Sequence, residues 1–285
     1  MVFDHHSHTK YSDGILTVEH NILWHIAHGF NAMALSDHNT LDNADELAIM
    51  VNKYKDQIVI IQGFEWTTNR IHLNFIGISE DIPVPSNKST DVEIQEAIDA
   101  AHDQGGIVIV NHIPWSLPIM PDHPTRAQLL AWEVDYIEIV NENIYDEESV
   151  PWCNNTGGFG MITGTDMHYP MNVYSWTLMN TTSFTATAVM EQLSARNTTI
   201  LYDRASQVDQ TTGPPSVKYK LVKPLISIGR NFKPTDIAGG LIDWQAFGIA
   251  IAYIIVGFVV VESVTIGIAA IRKRKKKEDY DKYYD

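Results

Sequence analysis

Histidines in this 285-residue chain recur beside carboxylates and amides in short clusters. The first is Asp4-His5-His6-Ser7-His8, followed by Ser12-Asp13-Gly14. Next come Asp37-His38-Asn39, then Gly63-Phe64-Glu65 with His72 downstream, Asn111-His112, and Gly164-Thr165-Asp166-Met167-His168. Imidazoles mixed with carboxylates suit Zn, Mn or Fe. On an extended strand, residues two apart point to the same side, so His6 and His8 can converge on one ion while His5 faces away. One His-x-His pair means little, but five clusters at matching places are hard to ascribe to coincidence.

Donors so scattered must be brought together by regular elements. Apolar runs of strand length fall at Ala32 to Leu35, Ile58 to Ile61, Ile71 to Ile78, Ile107 to Val110, Tyr136 to Val140, Met161 to Thr163 and Thr199 to Tyr202. Helical periodicity fills Val18 to His28, Asp42 to Tyr54, Val92 to Asp103, Arg126 to Trp132 and Ala186 to Ala195. Thr17 and Asp91 precede helices as N-cap candidates, and Gly29 and Gly105-Gly106 follow as stops. Alternation of strand and helix predicts an α/β barrel or layered sheet. The clusters sit where strands end, as reactive groups do at the carboxyl-terminal rim of barrel enzymes.

Composition bounds the rest. Apolar residues make up 45% and charged ones 19%, an ordinary globular balance, and the single Cys153 excludes an internal disulfide or a cysteine zinc cluster. The net charge of -15 argues against a long nucleic acid as partner, since phosphate backbones need a basic surface. The segment 206–244 reads as a juxtamembrane linker, with a strand expected at Lys218 to Val222. Residues 245–271 then read as one transmembrane helix, since the run Ala246 to Ile271 carries a single charge, Glu262, and is long enough to span the ~30 Å hydrocarbon core. The tail, 272–285, opens with six consecutive cations from Arg272 to Lys277 and turns acidic.

The ordered motifs resemble those of the PHP domain, the polymerase and histidinol phosphatase superfamily, over about residues 1–205. That resemblance implies a distorted (β/α)7 TIM-like barrel, here followed by the single C-terminal transmembrane helix, and a site for two to three divalent ions (Zn, Mn or Fe). Carried over by position, His6, His8, Glu65 and Asp166 would hold the first ion. Glu65 would bridge to a second, held also by His72 and His112. Asp13, His38 and His168 would hold the third. Glu65 and Asp166 would then be the catalytic carboxylates. A carboxylate shared by two ions ~3.5–4 Å apart leaves room for a bridging hydroxide nucleophile, and a third cation can stabilise phosphoryl charge.

The expected activity is hydrolysis of a small molecule's phosphate ester. A nuclease or nucleotide phosphatase, and a non-catalytic metal-binding membrane protein, are the alternatives. Lys10, Arg70 and His123 are candidate phosphate contacts, and Trp115 could line a pocket or pack in the core. Asp37 could orient the His38 imidazole, while Glu138 and Asn141 are second-rank candidates at a strand end. His20, His25 and His28 read as one helix face and its C-terminal end, and Cys153 as a structural or exposed thiol.

The cations after Ile271 predict a cytosolic tail and an extracellular or lumenal catalytic domain. Four Asn-x-Ser/Thr sequons, at Asn87, Asn154, Asn180 and Asn197, all precede the span. A tail-anchored protein with a cytosolic domain is the alternative, because no leader precedes Met1 in this chain.

Overall fold

The computed structural model describes residues 1–85, 88–155, 157–203, 251–268 and 271. These fall into two compact units, one holding the described residues up to 203 and the other those from 251 onward. The expected linker 206–244 with its strand at Lys218 to Val222, the tail 272–285, and positions 245–250, 269 and 270 lie outside the described residues.

The first unit runs β1 (Val2–Asp4), α1 (Val18–Ala27), β2 (Ala32–Leu35), α2 (Ala44–Tyr54), β3 (Val59–Thr67), β4 (His72–Ile76), α3 (Asp91–Asp103), β5 (Ile107–Val110), α4 (Ile113–Ser116), α5 (Arg126–Ala131), β6 (Tyr136–Asn141), β7 (Ile144–Tyr145), α6 (Val150–Asn154), β8 (Gly160–Gly164), β9 (Ser175–Met179), α7 (Ala186–Ser194) and β10 (Thr198–Tyr202). Strands β1 to β6 pair in sequence order, and β8 adds to β6 in parallel. The ring closes where the chain beyond β8 meets the chain beyond β1. There Asp166 N donates to His6 O at 2.8 Å and His8 N to Met167 O at 3.0 Å. Seven strands thus curl into the distorted TIM-like barrel that the motifs imply.

Two features distort it. At the amino end of the closing seam β9 takes the free edge of β1, pairing Val2 with Leu178 and Phe3 with Thr177. In addition, β4 runs antiparallel to both β3 and β5. Reversal carries the first residue of β4, His72, to the rim where the other strands end. Periodicity places β4 correctly but cannot state its direction.

Alternation along the strands sorts their side chains. Phe3, Ala34, Ile61, Ile76, Ile109, Tyr136 and Ile162 form one buried apolar cluster, to which α7 contributes Val189 and Leu193. Two residues further along the same strand faces stand His5, Glu65 (four beyond Ile61), Asn111, Glu138 and Gly164. The interior is therefore apolar below and polar at the rim. The opposite face, with Phe64, Trp66, Leu73, Phe75, Val108 and Ile137, belongs to the other main core, which includes Ile94 and Ile98 of α3. This alternation explains why β3 continues to Thr67, past the expected end at Ile61: Phe64 and Trp66 keep packing outward while Glu65 and Thr67 face in.

Caps define the helices as expected at Thr17, whose side chain accepts from His20 N. The third helix is capped one residue earlier than expected, by Thr90 in a capping box with Glu93, and Asp91 is its first helical residue. The second unit's described part is the helix Ile251–Ile268, with a mean hydropathy of 2.3 and every residue exposed. At 1.5 Å per residue it is about 27 Å long, which is long and apolar enough to cross a membrane.

Candidate metal centre

The strand ends place nine donors together. His6 and His8 follow β1, and the turn after them is fixed by Asp37. Its carboxylate accepts from Thr9 N, Thr9 Oγ1, Ser12 Oγ and Asn43 Nδ2, each at 2.7 Å. Asp37 therefore does not orient the His38 ring, as its position in the sequence suggested. It holds the loop that carries Asp13. Gly14 lies so close to His8 that a Cβ there would sit 2.5 Å from the His8 carbonyl, which no side chain tolerates. His112 and Asp166 adopt left-handed backbone angles, φ 28° and 51°, just past β5 and β8. Such geometry is costly for residues with a Cβ and gathers at functional sites.

The donor atoms form a graded set of short distances. His6 Nε2 lies 3.4 Å from Glu65 Oε2 and 3.2 Å from Asp166 Oδ1, and His8 Nε2 lies 3.3 and 3.1 Å from the same two oxygens. Neighbouring ligands of a tetrahedral ion with bonds of ~2.0–2.1 Å are about 3.3 Å apart. His6 Nε2 is fully buried and makes no hydrogen bond, the state of an atom that lacks its partner rather than one satisfied by protein. The donors thus fit an ion at this point.

The other oxygen of Glu65, Oε1, lies 3.1 Å from His72 Nδ1 and 3.5 Å from His112 Nε2. Asn111 Nδ2 also donates to it at 3.0 Å. Glu65 therefore divides its two oxygens between two donor groups. Asp13 Oδ1 lies 3.1 Å from His168 Nε2 and 3.6 Å from His38 Nε2, forming a third. His8 packs against both His38 and His168, with ring centroids 4.3 and 4.1 Å away, and those two rings are 5.8 Å from each other. A ring nitrogen of His8 is as well placed for the Asp13 group as for the His6 group.

Two further buried residues support the donors. Glu138 is fully enclosed; its Oε1 lies 2.9 Å from His6 Nδ1 and 3.3 Å from His5 Nε2, and its Oε2 accepts from His112 N at 2.7 Å. Alternation along β1 predicted that His5 faces away from the site. His5 instead keeps the inward face of Phe3, buried with its Nδ1 3.1 Å from Asn74 Nδ2, and because the strand ends at Asp4 the period of two lapses and His6 meets the same Glu138. His25 likewise is no surface helix face: it is buried, 2.9 Å from Asp4 Oδ2. Sequence offered one signal for these groups, a charged residue amid an apolar strand at Glu138.

Electrostatics follow from crowding of both charge types. Burial opposes ionisation of Glu65 and Asp166, yet His38 and His6 hold the Glu65 carboxyl, and His6 and His8 that of Asp166, well below the ordinary range. Against the same burial, Glu138 is lowered to about 2 by His6 and His5, and Asp13 to about 2 by His168 and His38. Burial keeps His8 and His72 neutral, both near 4, with His168 and His38 adding to the effect at His8. The carboxylates outweigh burial at His6, which is raised well above its usual value, and at His168, raised to about 9 by Asp13 and Asp166. Ions bind deprotonated donors, so loading this centre expels protons.

A cavity of about 330 Å³ opens over these groups, lined by Asp13, His38, His72, His112, Asp166 and His168, with Trp115, Asn141, Glu142 and Ile144 completing the wall. None of the proposed phosphate contacts lines it. Lys10 is exposed. Arg70 is taken up by Asp91 and by the carbonyls of Asp122 and Ser89. His123 is buried, donates from Nδ1 to Pro124 O, and lines a separate cavity beside Arg126. Cys153, half-buried with its thiol pushed up to about 12 by burial, has no nucleophilic character.

Comparison with known proteins agrees with this architecture. A two-domain protein of Bacteroides vulgatus ATCC 8482, described as containing a predicted PHP-like metal-dependent phosphoesterase, superposes with a TM-score of 0.60 at 22% identity. The match covers 71% of this chain and 65% of that one, just under two thirds of its length. An amidohydrolase from Chromobacterium violaceum, solved with sulfate and no metal, gives a TM-score of 0.46 at 14% identity over 70% of this chain and 98% of that one. No curated protein matches the sequence. The PHP domain model matches residues 4–165, more than half of the chain, with Asp166 and His168 alone of the nine donors lying beyond it, and the chain therefore belongs to the PHP domain family.

Proposed function

We propose that this chain is a metal-dependent hydrolase that cleaves a phosphate ester of a small molecule, anchored to a membrane through residues 245–271. The observation that carries this reading is the carboxylate of Glu65, whose two oxygens serve two different groups of imidazoles within 3.5 Å. His6, His8, Asp13, His38, Glu65, His72, His112, Asp166 and His168 would hold two to three divalent ions (Zn, Mn or Fe), which would supply Lewis acidity toward water and phosphoryl oxygens.

The chain's own part is to place and protect those donors. Glu138 fixes the His6 ring so that Nε2 faces Glu65 and Asp166. Thr67 Oγ1 lies 2.6 Å from His38 Nδ1, which leaves His38 Nε2 for the Asp13 group. Asp37 keeps the Asp13 loop in register. The net charge of -15 disfavours a long polynucleotide.

Elemental analysis of the full chain in detergent, followed by a phosphate-release screen over sugar, nucleotide and inositol phosphates, tests the proposal. Two to three ions per chain and phosphate release abolished by chelation are expected. Undiminished turnover by metal-free protein, or a fully loaded chain inert on every ester, overturns it.

A further inference from the structure

Four residues that line the cavity, Trp115, Asn141, Glu142 and Ile144, stand outside the donor set, and their chemistry is selective. Trp115 on α4 is 45% exposed, although Trp is among the residues most thoroughly buried on average. Its ring is held from behind. It stands edge-on to His112 at 4.9 Å and tilted against His72 at 5.7 Å, both on the donor side of the cavity. The backbone beneath is anchored by buried Ile113 and by Ser116, whose Oγ lies 3.1 Å from His112 Nδ1. The indole is thus a preformed flat surface within one ring's width of the donors.

The β6–β7 hairpin supplies the remaining wall. Register pairs Asn141 with Ile144 and leaves Glu142 in the two-residue turn with φ 50°, its N donating to Gly164 O at 3.2 Å. Glu142 and Ile144 both line the cavity, and among the described residues no lysine or arginine does. A second anionic group on a substrate would meet Glu142 with no lysine or arginine among the described lining residues to balance it. At about 330 Å³ the space is at the small end of ligand pockets, enough for a phosphate and one ring.

We infer that the substrate is a phosphate monoester of a ring-bearing alcohol with no second anionic group, its ring stacked on Trp115 and its uncharged side turned toward Glu142. The inference rests on the phosphoesterase reading for the reaction, but not for the binding surface.

The test uses the metal-loaded full chain and pairs of compounds matched in the bond to be cleaved. With 2-phenylethyl phosphate and propyl phosphate, both primary alkyl esters, kcat/KM should favour the ring about tenfold, the order that aromatic stacking and burial supply. Trp115→Ala should bring that ratio close to one, and Trp115→Phe should retain most of it. Calorimetry with 2-phenylethylphosphonate and propylphosphonate, which cannot be hydrolysed, should show the same preference and the same dependence on Trp115. Glu142→Gln should raise turnover of 1,3-propanediol bisphosphate relative to propyl phosphate several-fold, by removing like-charge repulsion.

Cleavage of both esters without preference, or an unchanged ratio in Trp115→Ala, overturns the inference while sparing the phosphoesterase reading. Ring-selective phosphonate binding with no ester cleaved does the reverse.

Discussion

Glu138 Oε1 accepts a hydrogen bond from His6 Nδ1 at 2.9 Å inside the barrel, although 132 residues separate the two. The proton so held on Nδ1 leaves Nε2 as a lone-pair donor toward Glu65 and Asp166, the arrangement by which a carboxylate raises the basicity of a ligand histidine. Removing the charge but keeping the shape, as in Glu138→Gln, should weaken metal affinity about 10–100-fold with the fold intact. Competition with a chromophoric chelator measures it, and an unchanged affinity would assign Glu138 a purely structural role.

The same contact leaves no room for a side chain opposite. A Cβ at Gly164 would stand 2.1 Å from Glu138 Oε1 and 2.7 Å from His6 Cβ. Gly164→Ala should therefore destabilise the barrel by ~1–3 kcal/mol or more, the usual cost of overpacking, and should also displace His6. Urea denaturation together with metal titration checks both effects; a stable variant with full affinity contradicts the close packing.

Glu65→Gln should cost more turnover than Asp13→Asn when metal is in excess. Glu65 lies within 3.5 Å of His6, His8, His38, His72 and His112 through its two oxygens, whereas Asp13 Oδ1 stands beside His38 and His168. Losing the carboxylate that joins the two groups removes nucleophile and geometry together. Equal or reversed losses in kcat would show that Glu65 is not the bridge.

Away from the site, His102 Nε2 and Asp135 Oδ2 pair at 3.0 Å. The hydrogen bond to Asp135 raises the His102 pKa, and the Asp135 carboxyl is lowered, against burial, by His102 and the amide of Val108. The pair's stabilisation is complete between the unfolded values of about 3.9 for Asp and 6.5 for His. It is lost as pH rises through the raised His102 value, and as pH falls through the lowered Asp135 value. With His102 partly exposed, the contribution should be no more than ~1 kcal/mol. Denaturation midpoints of chelator-treated wild type and His102→Gln should differ most near pH 5–6 and converge in alkali. A difference that grows with alkali reverses the sign.

For topology, the described sequons at Asn154, Asn180 and Asn197 are all exposed, as glycan acceptors must be. With the cationic tail held in the cytosol, residues 1–244 should resist protease added to sealed microsomes, and glycosidase should shift their mobility. Digestion from the cytosolic face of a domain without glycan would establish the tail-anchored arrangement instead.

The sequence by itself determined which segments become strands and helices, because the periods of 2 and 3.6 are written in neighbouring residues. The runs at Ala32 to Leu35 and Ile107 to Val110 coincide with β2 and β5. It also showed that His6, Asp37-His38, Asn111-His112 and Asp166 stand at strand ends, which in a barrel means one rim. Escaping notice were β9, whose buried face carries the polar Ser175 and Thr177, the two-residue β7, and the one-turn α4 and α6, since too few residues carry their pattern.

What only the tertiary structure decided depends on neighbours remote along the chain. The reversal of β4 brings His72 beside Glu65, and no local period encodes strand direction. Asp37 could face either its adjacent histidine or the loop across from it; only the fold puts Thr9, Ser12 and Asn43 around its oxygens. Glu138 beneath His6, His25 against Asp4, and Trp115 against the His72 ring are likewise set by how the strands curl, which brings buried charges and aromatic faces together from distant segments.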